Sequence, residues 1–221
     1  MKIFLDTADI AMIGPAYETG LIDGVTTNPT LILKSGGKLI DVAKNISSTC
    51  TELESISCEV VADTAEEMLT QAKQYYTIAP HITIKLPCTV EGLKACKSLS
   101  EKGIKTNVTL IFSVAQALLA NKAGATYISP FVGRWMDNSV DGLELIKNIR
   151  KAYNETAGTT SEILAASIRD VRQVEQCAIY GADVVTIPPT VFWAMYKNVM
   201  TDKGLEQFQK DWDEVLKQSE K

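Results

Sequence analysis

The sequence predicts an α/β protein, a single (β/α)8 barrel covering residues 1–221 with an additional C-terminal helix. Short apolar runs alternate with helix-patterned segments eight times, and such alternation implies a parallel sheet. The polar residues of one strand parity gather at the C-terminal ends of those runs, where barrels of this kind keep their active sites. Neither a linker nor a low-complexity tract interrupts the pattern, and 221 residues lie at the small end for a closed barrel.

The first run centres on Ile3–Leu5 and the second on Ile22–Val25. Lys34-Ser35-Gly36-Gly37-Lys38 reads as a mobile loop, with a phosphate cradle as the alternative, although it matches no P-loop. Leu39, Val42, Ala43, Ile46, Cys50 and Leu53 then form one apolar stripe at helical spacing. The third run is placed at Cys58–Ala62, followed by a helix start at Thr64 with Glu66 and Glu67 behind it. The fourth, Ile82–Leu86, precedes a second start signal, Thr89 before Glu91. The fifth is placed at Ile104–Thr109, and a helix with Ala115, Leu118, Leu119 and Lys122–Ala123 on its stripe follows. Tyr127–Ser129 is the sixth run, trailed by a helix with Leu143, Ile146, Ile149 and Tyr153 inward. Ile163–Ala166 and Val184–Ile187 complete the eight. Gly103, Gly124 and Gly181 stand just before strands, where glycine closes a helix. The extra helix is expected at about residues 204–217, with Leu205, Phe208, Trp212 and Val215 on one face. That face packs either on its own barrel or on a neighbouring subunit, and the sequence leaves both open.

Composition excludes several function classes. The chain is 46% hydrophobic and 22% charged, with a formal net charge of −5, which argues against a nucleic-acid backbone as partner. It has no run of about 18 apolar residues, so no membrane span is expected, and the N-terminus lacks signal-peptide features. Cys50, Cys58, Cys88, Cys96 and Cys177 are odd in number and form no C-x-x-C pair. They read as reduced, mostly core thiols of a cytoplasmic protein, with a reactive nucleophile as the alternative. His81 is the single histidine, so no site with two or more His ligands can form within the chain, and neither metal nor cofactor is expected.

Strand parity then sorts the polar residues. In the fourth run Ile82, Ile84 and Leu86 face the helices, which turns Lys85 inward at the strand's C-terminal end. The same alternation turns Phe4 and Asp6 inward, sets Thr26 and Asn28 on the parity of Gly24, and turns Glu59 inward. Asn107 and Thr109 oppose Val108 and Leu110, and Tyr127, Ser129 and Phe131 share one face. Ser167, on the parity of Ile163 and Ala165, is grouped with the inward polar set. A lone inward lysine is as readily a structural ion pair. Two carboxylates, a lysine, amides and hydroxyls at one end are better explained by function, because burying an ion costs several kcal/mol. His81, four residues before Lys85, lies roughly 13 Å away along the strand and is expected to be structural.

A barrel lysine without a metal or a nearby histidine points to Schiff-base chemistry. At the usual lysine pKa only about one amine in 2,500 is unprotonated at pH 7, and burial raises that fraction. One carboxylate is needed to take a hydroxyl proton as a carbon–carbon bond breaks, and a second to move protons during imine formation. Lys85, Asp6 and Glu59 match these needs.

These residues lie in segments that resemble the transaldolase family, in particular its short single-domain subfamily, which also contains fructose-6-phosphate aldolases. The matching segments are FLDTA at the start, GVTTNPT at 24–30, EVVA at 59–62, IKLP at 84–87, TNVTLIF at 106–112, YISPFVGR at 127–134 and AASIR at 165–169. The resemblance implies Lys85 as the Schiff-base lysine, Asp6 as the acid/base of carbon–carbon cleavage, and Glu59 acting with Thr109 and a water on the imine. It implies Asn28, Asn107 and Ser129 against the dihydroxyacetone portion, with Thr26 and Phe131 also at the substrate. Arg134, Ser167 and Arg169 are implied to hold the substrate phosphate, a task that suits the bidentate donors of paired arginines. It further implies sugar-phosphate substrates of the pentose phosphate pathway and a homo-oligomer, pentamer or decamer.

Glu59 and Phe131 are of the transaldolase type, where the aldolases tend to carry Gln and Tyr. The alternatives are a fructose-6-phosphate aldolase that releases free dihydroxyacetone and, in a different class, a non-catalytic sugar-phosphate-binding protein.

Overall fold

The computed structural model describes residues 1–219. Glu220 and Lys221, included in the single-domain expectation, lie outside the described residues. The chain runs β1 (Lys2–Asp6), α1 (Ile10–Glu18), β2 (Gly24–Thr26), α2 (Pro29–Ser35), α3 (Leu39–Thr49), β3 (Ser55–Glu59), α4 (Ala65–Tyr76), β4 (Ile82–Pro87) and α5 (Val90–Ser100). It continues with β5 (Thr106–Ile111), α6 (Val114–Lys122), β6 (Tyr127–Pro130), α7 (Val132–Met136), α8 (Gly142–Glu155), β7 (Glu162–Ala165), α9 (Val171–Ile179), β8 (Val184–Ile187), α10 (Pro189–Ala194) and α11 (Val199–Ser219). The eight strands are parallel and close into a barrel in chain order, with β8 pairing back to β1. This is the (β/α)8 architecture expected from the alternation.

Two packed layers hold it. The larger lies between sheet and helices and draws Leu5, Val25, Ile56, Ile84, Val108, Ile128, Ile163 and Val185 from successive strands. The smaller fills the barrel interior with Phe4, Tyr127, Leu164, Ala166 and Val184. Gly24 makes room for it, since a Cβ there would sit 2.8 Å from the Phe4 ring and 2.7 Å from the Ser55 carbonyl. Helix starts and stops fall where the sequence signals them. Thr64 and Glu67 form a reciprocal capping box on α4, and Thr89 caps α5. Gly103, Gly124 and Gly181 adopt left-handed φ of 72°, 82° and 86° after α5, α6 and α9.

Four boundaries and one face differ from expectation. β3 starts at Ser55, three residues before the expected run. Ser55 and Ser57 are fully buried on the interior face and break the apolar run from which a strand is read. β2 and β5 are likewise displaced by about two residues from their expected runs. On α6 the buried residues are Ala117 and Ala120, while Leu119 is 55% exposed. The helix approaches the sheet on its small residues, and the larger side chain is left outside. α11 begins five residues earlier than expected and buries no residue, with Leu205, Phe208, Trp212 and Val215 all exposed. Its apolar face therefore does not pack on its own barrel.

His81 precedes β4 at the N-terminal end, with its Nε2 2.9 Å from the Ser47 hydroxyl. Cys50, Cys58, Cys96 and Cys177 are buried and Cys88 half-buried, all as free thiols. Burial pushes the Cys58 and Cys177 thiols up to about 12, away from nucleophilic thiolate. Among the described residues no helix is long and apolar enough to cross a membrane.

Candidate active site

The C-terminal ends of the strands converge on a polar mouth. Lys85, near the end of β4, is 5% exposed. Its Nζ lies 3.0 Å from Oε2 of Glu59, the last residue of β3, and donates to the Thr27 carbonyl at 3.2 Å. The parallel register sets Glu59 beside Lys85, and Lys85 beside Asn107 of β5. A cavity of about 120 Å³ opens above them, lined by Asp6, Thr26, Asn28, Lys85, Asn107, Ser129, Phe131, Arg134, Ser167 and Thr186, among others. A shallower space of about 420 Å³ shares Asn28, Lys85, Phe131 and Arg134 with it and adds Glu59 and Thr109. Eleven of the twelve expected site residues thus meet around one lysine.

Asp6 ends β1 and accepts a hydrogen bond from the Thr26 hydroxyl at 2.8 Å. Burial pushes its carboxyl above the usual value. The Lys85 charge and the Thr26 hydrogen bond pull the other way, and the Glu59 charge adds to the rise. Thr26 is also 2.6 Å from Thr186, so its hydroxyl is engaged on both sides. Thr26 also lines the cavity beside Asp6.

The amides are similarly oriented. Asn28 caps α2, its Oδ1 accepting from the Leu31 N–H at 2.9 Å, a bond that does not use its amide hydrogens, and the residue lines the cavity. Asn107 Oδ1 accepts from the Ser129 hydroxyl at 2.6 Å, and Nδ2 donates to Ser57 at 3.3 Å. Thr109 is 1% exposed and its hydroxyl has no partner. Such a group points toward something that completes it.

Two backbone irregularities aim side chains that simple alternation would misplace. Leu110 has φ 61° and the β5–β6 register shifts between Val108 and Ile111. The bulge returns Ile111 to the helix-facing core and leaves Leu110 at the mouth. Ser167 also has φ 61°, beyond the end of β7. Strict alternation gives it the helix-facing parity of Ile163 and Ala165. The left-handed turn brings it to the cavity instead.

Arg169 is the residue the mouth does not gather. Its Nη1 and Nη2 both engage the Asp137 carboxylate, the second at 2.5 Å, and it does not line the cavity. It passes close to Gly133, where a Cβ would meet its Nε at 2.9 Å. Arg134 lies over the Phe131 ring at 4.8 Å. Phe131 and Trp135 both pack on Phe112, and the Trp135 indole donates to its carbonyl at 3.1 Å.

Sequence reasoning missed Thr27, Ser57, Asp137 and Thr186. Ser57 and Thr186 share the parity of Glu59 and Val184, so alternation carried through every strand finds them. Thr27 acts through its carbonyl and Asp137 through a tertiary contact, and neither leaves a sequence signal.

Fold and site together define the class, a (β/α)8 barrel whose polar centre is an enclosed lysine–carboxylate cluster at the strands' C-terminal ends. Residues 3–219 match the family model described as Transaldolase/Fructose-6-phosphate aldolase. Proteins named probable transaldolase from Caulobacter vibrioides and from Paracoccus denitrificans are each 54% identical over 213 residues, covering 96% of both chains. The chain belongs to the transaldolase/fructose-6-phosphate aldolase family. A thiamine phosphate pyrophosphorylase from Pyrococcus furiosus, 15% identical with a TM-score of 0.58 over 85% of each chain, shares the fold.

Proposed function

We propose that the protein is a transaldolase. It moves a dihydroxyacetone unit from fructose 6-phosphate or sedoheptulose 7-phosphate to an aldose phosphate, through a Schiff base on Lys85. The observation that carries this reading is the enclosure of Lys85 beside Glu59 in a cavity that also admits Asp6. Glu59, at 3.0 Å, is within reach to take a proton from the amine and, with Thr109 and a water, to serve carbinolamine dehydration. The resulting iminium draws electrons from the adjacent carbon–carbon bond as Asp6 takes the proton of the hydroxyl on the departing fragment. An aldose phosphate leaves, an enamine stays on Lys85, and the reverse steps join it to the acceptor. The raised carboxyl of Asp6 suits a group that must both accept and return a proton.

Arg134 and Ser167 sit at the cavity rim for the substrate phosphate. A phosphate that also engages Arg169 exchanges with Asp137 for the guanidinium. The uncovered face of α11 is assigned to contact between copies in a pentamer or decamer, with the whole chain acting as one domain in the cytoplasm.

Incubation with fructose 6-phosphate, with and without erythrose 4-phosphate, tests the activity through glyceraldehyde 3-phosphate release. Sustained product only with acceptor is expected. Equal product without it makes the protein an aldolase. Borohydride should trap donor on the wild type and not on Lys85→Met, and trapping on the variant overturns the lysine assignment. Phe131 has neither donor nor acceptor to help discharge the enamine. Phe131→Tyr is therefore expected to raise release of free dihydroxyacetone, and no rise counts against that account.

A further inference from the structure

We propose that Thr186 is a positioning residue for carbon–carbon bond cleavage, holding the Thr26 hydroxyl in the orientation that donates to Asp6. The proposal rests on the reading of Asp6 as the group that exchanges the substrate hydroxyl proton. Thr186 lies on β8 and is 4% exposed. Val184, two residues earlier, is in the barrel interior, while Val185 and Ile187 pack outward, so the Thr186 side chain faces in. β1 separates β8 from β2, with Phe4 level with Thr186 and Asp6 level with Thr26. The two threonines meet across that strand, with their hydroxyl oxygens 2.6 Å apart.

The direction of this contact follows from counting hydrogens. An ionised Asp6 can only accept, and its Oδ1 is 2.8 Å from the Thr26 oxygen. The single Thr26 hydrogen is committed to that bond. The 2.6 Å contact therefore needs the hydrogen of Thr186, and the order is Thr186 to Thr26 to Asp6. A hydroxyl that accepts one hydrogen bond donates a stronger one. Without Thr186, the Thr26 hydroxyl is free to rotate away from the carboxylate. The other groups facing Asp6 are Lys85 from β4, whose charge favours the carboxylate, and Glu59 from β3, whose charge opposes it. Thr186 strengthens the one neutral donor between them.

Thr186→Val keeps shape and removes the donor. Its kcat for transfer from fructose 6-phosphate should fall about tenfold with KM little changed. The acid limb of kcat against pH should move to higher pH, because the ionised form of Asp6 has lost support. Thr186→Ser, which keeps the hydroxyl, should restore both. Thr26→Val removes the link itself, so adding Thr186→Val to it should cost little more. An unmoved acid limb, a failed rescue by serine, or additive losses in the double variant overturn the proposal. If Thr186→Val does not fold, Thr186→Ala takes its place: an acid limb moved to higher pH supports the proposal, and one left at the wild-type position overturns it. Borohydride trapping at Lys85 separates the two readings. Wild type that fails to trap refutes the Schiff-base function, whereas trapping with an unmoved acid limb refutes only the role of Thr186.

Discussion

At the N-terminal floor of the barrel, Lys2 is bracketed by Glu54 at 2.7 Å and Glu162 at 2.9 Å. Tyr127 donates to Glu54 at 2.7 Å, and Lys105 donates to the Glu54 carbonyl at 3.0 Å. At the C-terminal mouth, Lys85 faces Glu59 with Asp6 near by, and the buried Thr109 hydroxyl has nothing to bond. Both ends combine lysine with two carboxylates inside the same eight strands. They differ in completeness. The floor ties its charges into one network of direct bonds, with side chains about a third exposed. The mouth keeps Lys85 almost fully enclosed and leaves a hydroxyl open. Thr109 Oγ is the one buried side-chain nitrogen or oxygen without a partner among the described residues. A closed network has no capacity left for a ligand, so it stabilises. An open one keeps a polar group that a water or a ligand can satisfy.

After Lys85→Met, the largest expected effect within the mouth comes from Asp6→Asn. The amide keeps the shape and loses the proposed base, so kcat should fall about 10²- to 10⁴-fold. Borohydride trapping of donor should survive, because the proposed imine formation runs through Lys85 and Glu59. Lost trapping would show that Asp6 serves the imine steps as well. Thr109→Val sharpens the contrast further. Its kcat should fall about tenfold, while stability to denaturant holds or rises by up to about 1 kcal/mol, since an unpaired buried hydroxyl is removed. A clear loss of stability would make Thr109 a structural group like those of the floor.

The barrel and its lysine were legible because they depend on local rules. Alternation of side chains turns Lys85, Asp6 and Glu59 inward whatever the neighbouring strands do. Capping chemistry marks Thr64 and Thr89 in the same way. The rest depends on groups distant in sequence. Ser167 reaches the cavity through a left-handed φ at a serine, which no pattern of apolar residues announces. Arg169 reads as a phosphate ligand from its segment, but its partner Asp137 is 32 positions away and becomes visible only in the fold. The floor network was invisible for a similar reason. Lys2, Glu54 and Glu162 come from separate units and read singly as solvated charges.

The floor offers the gentlest test, Glu54→Gln. Gln can still accept from Tyr127, whose hydroxyl stays protonated because burial pushes its pKa up. Lys2 keeps Glu162 as a partner. What is lost is one charge-assisted bond at a group about a third exposed, worth about 1–2 kcal/mol after solvent screening. Burial raises the Glu54 carboxyl, but hydrogen bonds from Lys2 and Tyr127 and the nearby lysine charges outweigh it, and the net shift is downward. Below its unfolded value of 4.5, the unfolded chain takes up a proton that the folded one refuses. The stabilisation is thus complete above that pH and disappears as pH falls through the lowered folded value. Denaturant titrations should show the gap between wild type and variant at full size near neutral pH, closing below pH 4.5. The kcat at neutral pH should be unchanged, because no atom of the floor reaches the cavity. A variant that loses kcat in step with stability would show that the floor sets the geometry of the mouth, and the separation between a closed structural end and an open chemical end would fail.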